Sequence, residues 1–254
     1  MNIAVCVKQV VTRDWPLRVN ESAEWVRDYD ASFEMNEPDA YALEEALRLK
    51  EQHGGEVVVC VAGPPRVTQV IREALARGAD RAIHVQHEQL AFADANVVAS
   101  SLAIAMLPEQ FDLVLTGLQS DDQGFGQTGV ILAERLGLPH ATIVMEVDAS
   151  GVNGIRVKRE LEGGWFQWVS MPTPALLTIQ SGINQLRYAT LKGIMAAKRK
   201  EVRSVELEEL QPAGQHIVRL YVPEKEKATR FIEGSPEAAS RALVRLLCEE
   251  ARVL

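Results

Sequence analysis

Cysteine is scarce in this sequence. The 254 residues hold three, Cys6, Cys60 and Cys248, too few and too widely spaced for a disulfide framework or a thiolate metal cluster. Cys6 and Cys60 stand inside apolar strand patterns, which makes them small core residues in a reducing compartment. Positive charge is in deficit as well: 27 basic residues against 35 acidic ones leave a net charge of −8. A nucleic-acid binder that works by neutralising phosphates is therefore not expected, and any basic patch would be local. Apolar runs stop short of the ~20 residues that span a bilayer, so direct membrane insertion is not expected. The start, Met1-Asn-Ile-Ala-Val-Cys-Val7, enters a strand at once, without the charged head and long apolar core of a secretory signal, and points to the cytoplasm.

Catalytic signatures are missing too. No Gly-x-Ser-x-Gly elbow, Walker lysine or His-Glu-x-x-His occurs, and the first strand is not followed by Gly-x-Gly-x-x-Gly. The histidines His53, His84, His87, His140 and His216 show no ligand spacing, and His84 and His87 have neither cysteine nor paired acid nearby, so no metal centre is expected. Asp121-Asp122 could bind Mg²⁺, but adjacent carboxylates on a flexible loop more often meet solvent or backbone. No base, nucleophile and electrostatic clamp gather around them. Binding rather than turnover is the expectation.

What the sequence does carry is alternation. Residues 3–7, 56–62 and 113–117 are largely apolar runs of strand length, and 81–85 reads as a further short strand. Between them lie helical patterns. The first starts at Asn36, a good N-cap with Pro38 and Asp39 in the first turn, and buries Ala42, Leu43, Ala46, Leu47 and Leu49 before Gly54-Gly55. The second carries Val67, Val70, Ile71, Ala74 and Leu75, and stops at Gly78. Asp94 caps a third through Val97, Val98, Leu102, Ile104 and Ala105; Val130, Ile131, Ala133 and Leu136 mark a fourth, ended by Gly137 and Pro139. Four such alternations with short connections imply an α/β fold, a Rossmann-like parallel sheet with helices on both faces and ligands beyond the carboxyl ends of its strands. Residues 11–35, where Trp15, Trp25 and Tyr29 sit among charges, form a long excursion with a short hairpin.

The pattern changes after Pro139. Residues 142–147, 154–161, 165–171 and 175–179 read as short strands that extend the sheet antiparallel or form a small second layer, with Gly151 and Gly163-Gly164 marking hairpins. From Ser181 the composition is polar and mixed until Ser235 caps an amphipathic helix with Ala238, Ala242, Leu243, Leu246 and Leu247. The expected division is a nucleotide-binding α/β domain at 1–180, then a partner-binding loop and C-terminal arm with its terminal helix at 181–254.

The functional signal is densest between Gly117 and Gly129. Gly124, Gly126 and Gly129 allow backbone to approach a ligand closely, the N–H groups of Gln127, Thr128 and Gly129 would face an anion at the helix start, and the Thr128 hydroxyl adds a donor. The plain alternative is a long strand-to-helix connection with ordinary capping. Segments 6–8, 62–64 and 117–128, joined by Asn36, should converge at the strand ends, with adenine and ribose near the first two strands and phosphate at Gln127-Thr128. Leu191, Ile194 and Met195 fall together ahead of Lys198-Arg-Lys200. Taken alone they favour the packing of a short helix over an exposed anchor.

A run of landmarks then bears on identity. These are Cys6-Val-Lys-Gln9, Met35-Asn36 before Ala42-Leu-Glu-Glu-Ala-Leu-Arg-Leu-Lys50, Ala62-Gly-Pro64, and Ala74-Leu-Ala-Arg-Gly-Ala-Asp-Arg81. Residues 112–129 with Gln127-Thr-Gly129 follow, then Leu186-Arg-Tyr-Ala-Thr-Leu191 leading to Ile194-Met-Ala-Ala-Lys198. In that order, along nearly the whole chain, they resemble the beta subunit of electron transfer flavoprotein. The resemblance implies a heterodimer with an alpha subunit that holds most of an FAD, and a structural AMP in the beta subunit. It further implies electrons received from acyl-CoA or related dehydrogenases and passed to a quinone oxidoreductase, by a carrier without catalytic residues of its own. By motif position Cys6, Asn36, Ala62 and Gly126-Gln127-Thr128 match the AMP-contacting places, and Gly117, Asp122 and Gly129 of the same loop are taken with them. Leu191 matches the anchor of a dehydrogenase-recognition loop, flanked by Tyr188, Ile194 and Met195, which reverses the packing reading. Family members often have Asn where Gly126 stands, so one side-chain contact to the nucleotide is lost. The flavin-bifurcating branch, with a second FAD in place of AMP, looks like Asp-Gly-Asp-Thr-Ala-Gln-Val-Gly here; Asp122-Gln-Gly-Phe-Gly-Gln-Thr-Gly129 favours AMP. A standalone nucleotide-binding stress-type protein is the other reading, and the long extension after Ser181 speaks against it.

Overall fold

The computed structural model describes residues 1–151, 154–223 and 229–253. The chain divides into two compact units, Met1–Leu220 and Tyr221–Leu254. The first is built on the four expected strands, β1 (Asn2–Cys6), β4 (Glu56–Gly63), β5 (Arg81–Gln86) and β6 (Leu113–Gly117), which pair parallel in the spatial order β5-β4-β1-β6. Both of their faces are covered, which is why they read as continuous apolar runs rather than alternating ones. Helices α1 (Glu37–His53) and α2 (Thr68–Arg77) bury one face, with Leu43, Leu47, Ile71 and Leu75 fully or almost fully enclosed. Helices α3 (Ala95–Met106) and α4 (Thr128–Leu136) bury the other through Leu102, Met106 and Leu132, together with Cys6 and Cys60, which lie in register on adjacent strands. Ile104 departs from expectation: the helical period carries it off the stripe of Val97, Leu102 and Ala105, and it faces solvent.

The excursion is framed by an antiparallel hairpin of β2 (Gln9–Val11) and β3 (Phe33–Met35). After Pro139 come β7 (His140–Asp148), β8 (Ile155–Glu160), β9 (Phe166–Met171) and β10 (Ala175–Ile179). Only β8 and β9 extend the sheet antiparallel. Strand β10 returns to the middle of the sheet and lies parallel between β6 and β7. Every residue of Ala175-Leu-Leu-Thr-Ile179 is buried, as a central parallel strand requires.

The expected polar stretch after Ser181 is more structured than its composition suggests. It contains α5 (Leu191–Ala197) and an edge strand, β11 (Val202–Glu206), parallel to β5. In the second unit, Ser235 caps α6 (Pro236–Glu249) by accepting from the Ala238 N–H at 3.3 Å, and Leu246 and Leu247 of its apolar stripe are half-buried. Residues 224–228 and 254 of the expected arm lie outside the described residues.

Candidate functional site

From β1 the chain moves to β4 on one side, and later returns to β6 on the other. That reversal opens a crevice beyond the carboxyl ends of the strands, the usual ligand position in open parallel sheets. A cleft partly open to solvent lies there. Cys6, Asn36, Ala62, Gly117, Gly126, Gln127, Thr128 and Gly129 all line it; Asp122 does not.

Each position has a local cause. Asn36 occupies the N-cap of α1 but does not cap with its side chain. Its Nδ2 donates to the Gln119 carbonyl at 3.0 Å and its Oδ1 accepts from the Asp121 N–H at 2.8 Å, so it pins the Gly-rich loop across the cleft. The capping expectation is thus corrected, because a partner from the loop competes for the same side chain; the Asp121 carboxylate takes the Glu37 N–H at 3.2 Å instead. Asp122 turns away from the cleft and meets the Lys8 ammonium at 2.7 Å. Burial opposes its charge most strongly, but Lys8, together with hydrogen bonds from Ser120 and the Gln123 N–H, holds the carboxyl below the usual range. Lys8 also donates to Ser120 and Gln123 of the same loop.

Asp39 read in the sequence only as a first-turn residue of the helix, not as part of the site. Its buried carboxylate accepts the Lys8 N–H at 2.8 Å and the Gly117 N–H at 2.9 Å, tying the ends of β1 and β6 to the first turn of α1. Burial pushes its pKa up to about 7 against those hydrogen bonds. Gly117 is required by this contact, since a Cβ there would sit 2.3 Å from Asp39 Oδ1. Burial, then Cys60 and Asp39, raise the Cys6 thiol well above its ordinary value, leaving it a neutral wall.

Helix α4 begins without a side-chain cap, its first turn facing the cleft with Gln127, Thr128 and Gly129. Such uncommitted N–H groups and the helix dipole favour an anion. Gly126 adopts φ +63°, a backbone that glycine takes without strain, and delivers the chain to that turn. Gly129 lets α4 press onto the sheet; a Cβ there would lie 2.6 Å from Thr116 Oγ1 and 2.7 Å from Thr178 Cγ2. Another part of the wall is apolar, formed by Leu90, Ala93, Val98 and Leu102. The excursion supports that wall: Trp25 packs edge-on against Phe92, with ring centroids 5.4 Å apart. The run Leu90-Ala-Phe-Ala93 was the available sequence signal for this surface.

Away from the cleft, Tyr188, Leu191, Ile194 and Met195 are exposed at 90%, 78%, 45% and 58%. Thr190 caps α5 by accepting from the Gly193 N–H at 3.0 Å. His84 is buried, with Nε2 3.0 Å from the Gly63 carbonyl. Among the described residues no group of three or more His, Cys, Asp or Glu is placed to hold a metal, and no helix is long and apolar enough to cross a membrane.

Sheet order, two-faced helical cover and a cleft at the strand ends define an α/β protein of the Rossmann-like class. The family model for the electron transfer flavoprotein domain matches residues 25–210. The chain belongs to the electron transfer flavoprotein beta-subunit family. It is 36% identical over 261 residues to the electron transfer flavoprotein subunit beta of Methylophilus methylotrophus, covering 98% of both chains. It is 33% identical over 262 residues to that of Bacillus subtilis and 36% over 264 residues to the mitochondrial subunit of Oryza sativa subsp. japonica, with full coverage in both cases.

Proposed function

We propose that the cleft holds AMP as a structural ligand, and that the chain pairs with an alpha subunit to form an electron carrier. The observation that carries the nucleotide is the uncapped start of α4 sharing one cleft with an apolar wall. The phosphate meets the N–H groups of Gln127, Thr128 and Gly129 and the Thr128 hydroxyl. Adenine lies against Leu90, Val98 and Leu102, near Cys6 and Ala62. Asn36 and Lys8 hold the Gly-rich loop in place around it. With Lys8 engaged by Asp122, the cleft offers dipoles and hydroxyls rather than a bare cation, which fits one phosphate better than a polyphosphate.

The FAD, held mostly by the alpha subunit, supplies the electron chemistry when bound; this chain contributes a supporting surface and no catalytic residue. Residues 1–180 serve as the nucleotide domain and 181–254 as the partner-binding region. Leu191, with Tyr188, Ile194 and Met195, docks into an acyl-CoA or related dehydrogenase. A quinone oxidoreductase receives the electrons, and the complex works in the cytoplasm.

Co-expression with the alpha subunit should yield a yellow heterodimer reducible by such a dehydrogenase. Leu191→Ala removes a side chain whose burial is worth about 1.5–3 kcal/mol, and should lower kcat/KM at least about tenfold with flavin content intact. Unchanged kinetics would remove the anchor role, and a colourless chain that never pairs would contradict the carrier assignment.

A further inference from the structure

Arg187 stands four residues before Leu191, and its guanidinium is engaged by two acids of α1. Nε and Nη2 grip Glu44 at 2.8 and 2.9 Å, and Nη1 meets Glu51 at 2.6 Å. Its backbone N–H also donates to Glu44, at 3.2 Å. The fork geometry is one that only arginine supplies, and the buried Glu44 is left without compensation if the guanidinium goes. Asn184 adds a second tie, donating to the Tyr41 carbonyl at 3.2 Å and to Glu45 at 3.0 Å. Beyond Leu191, α5 is fastened to α2. Gly193 packs so closely on Ala76 that a Cβ would lie 2.2 Å from its carbonyl oxygen, and Arg72 donates to the Ala197 carbonyl at 2.7 Å. The exposed apolar side chains of Tyr188 and Leu191 therefore stand on backbone tethered at both ends.

Resting on the docking role of Leu191, we propose that Arg187 is a positioning residue for partner recognition: clamped to Glu44 and Glu51, it presents Leu191 in one arrangement before the dehydrogenase arrives. A loose segment must be ordered on binding, and its apparent affinity falls by the fraction of time spent in the competent arrangement. The arginine touches neither the partner pocket nor the nucleotide cleft in this role. Its effect belongs to encounter and binding, not to the electron transfer that follows.

The test is steady-state reduction of the intact heterodimer by an acyl-CoA dehydrogenase, with the heterodimer as the varied substrate. Arg187→Met should raise KM about tenfold with kcat within about twofold, the signature of lost uniform binding. Glu51→Gln, at an exposed acid that is safe to change, should raise KM about two- to threefold; Arg187→Lys should fall between the two. The double variant Arg187→Met with Glu51→Gln should be no worse than Arg187→Met, because the two side chains act as one clamp. If Arg187→Met does not assemble, Arg187→Lys and Glu51→Gln decide by the same KM criterion. Wild-type KM values in these variants, alongside a raised KM in Leu191→Ala, overturn the positioning role. A wild-type KM in Leu191→Ala itself overturns the docking reading beneath it.

Discussion

Asp39 shows what a single side chain can do where three elements meet. It receives N–H groups from β1 and β6 while sitting in the first turn of α1, and its burial lifts the pKa to about 7. An acid with a raised folded pKa binds its proton in the folded state and not in the unfolded chain across the interval from its ordinary value up to about 7. Stability should therefore rise as pH falls through that window, by up to about 1.4 kcal/mol per pH unit from this group. Asp39→Asn should flatten the slope and cost roughly 1–3 kcal/mol, since one N–H would then face an amide donor. Urea unfolding at pH 4 to 7 checks this, and an unchanged slope would show that Asp39 does not titrate there. Neither Asp39 nor the true role of Asn36 was legible in the sequence. Both positions looked like helix-start residues, and only the approach of a loop some eighty positions away redirects their side chains.

Among the elements, the legible ones were those whose burial and local chemistry agree. Strands β1, β4, β5 and β6 have buried, largely apolar centres, Asp94 and Ser235 cap with their side chains as expected, and Gly78 and Gly137 stop their helices. Strand β10 was legible as a strand but not as a central one, because its neighbours in space are fixed by a crossover that short-range spacing does not reveal. Strand β11 was missed since an edge strand with half-exposed residues carries little apolar pattern. The seating of α4 makes its own prediction. Gly129→Ala forces a methyl against Thr116 and Thr178, an overpacking worth about 1–3 kcal/mol. For a chain of this size each kcal/mol moves the thermal midpoint by roughly 2–4 °C, so a fall of about 2–12 °C is expected by calorimetry. An unchanged midpoint would mean that α4 is free to lift away from the sheet.

Across the first unit, α1 joins the cleft to the exposed Tyr188–Leu191 segment. Its first turn carries Asn36 and Asp39 toward the cleft, and its later turns carry Glu44 and Glu51 toward Arg187 and the exposed anchor. A helix is stiff over this length, so on the proposed reading a nucleotide that held α1 in register would also fix the base of residues 187–191. Its purpose there would be mechanical rather than chemical. The convergence of strand ends was readable from the alternation of elements. The attachment of residues 184–206 to the rest of the first unit was not, because it combines ion pairs, one close glycine contact, an edge-strand pairing and scattered apolar residues such as Ala197 rather than one continuous apolar stripe. The most direct test is to denature the purified heterodimer and quantify the released ligands by mass spectrometry. One AMP and one FAD per heterodimer is the expected result, and either two FAD or no nucleotide beside the single flavin would contradict the scaffold role of the cleft.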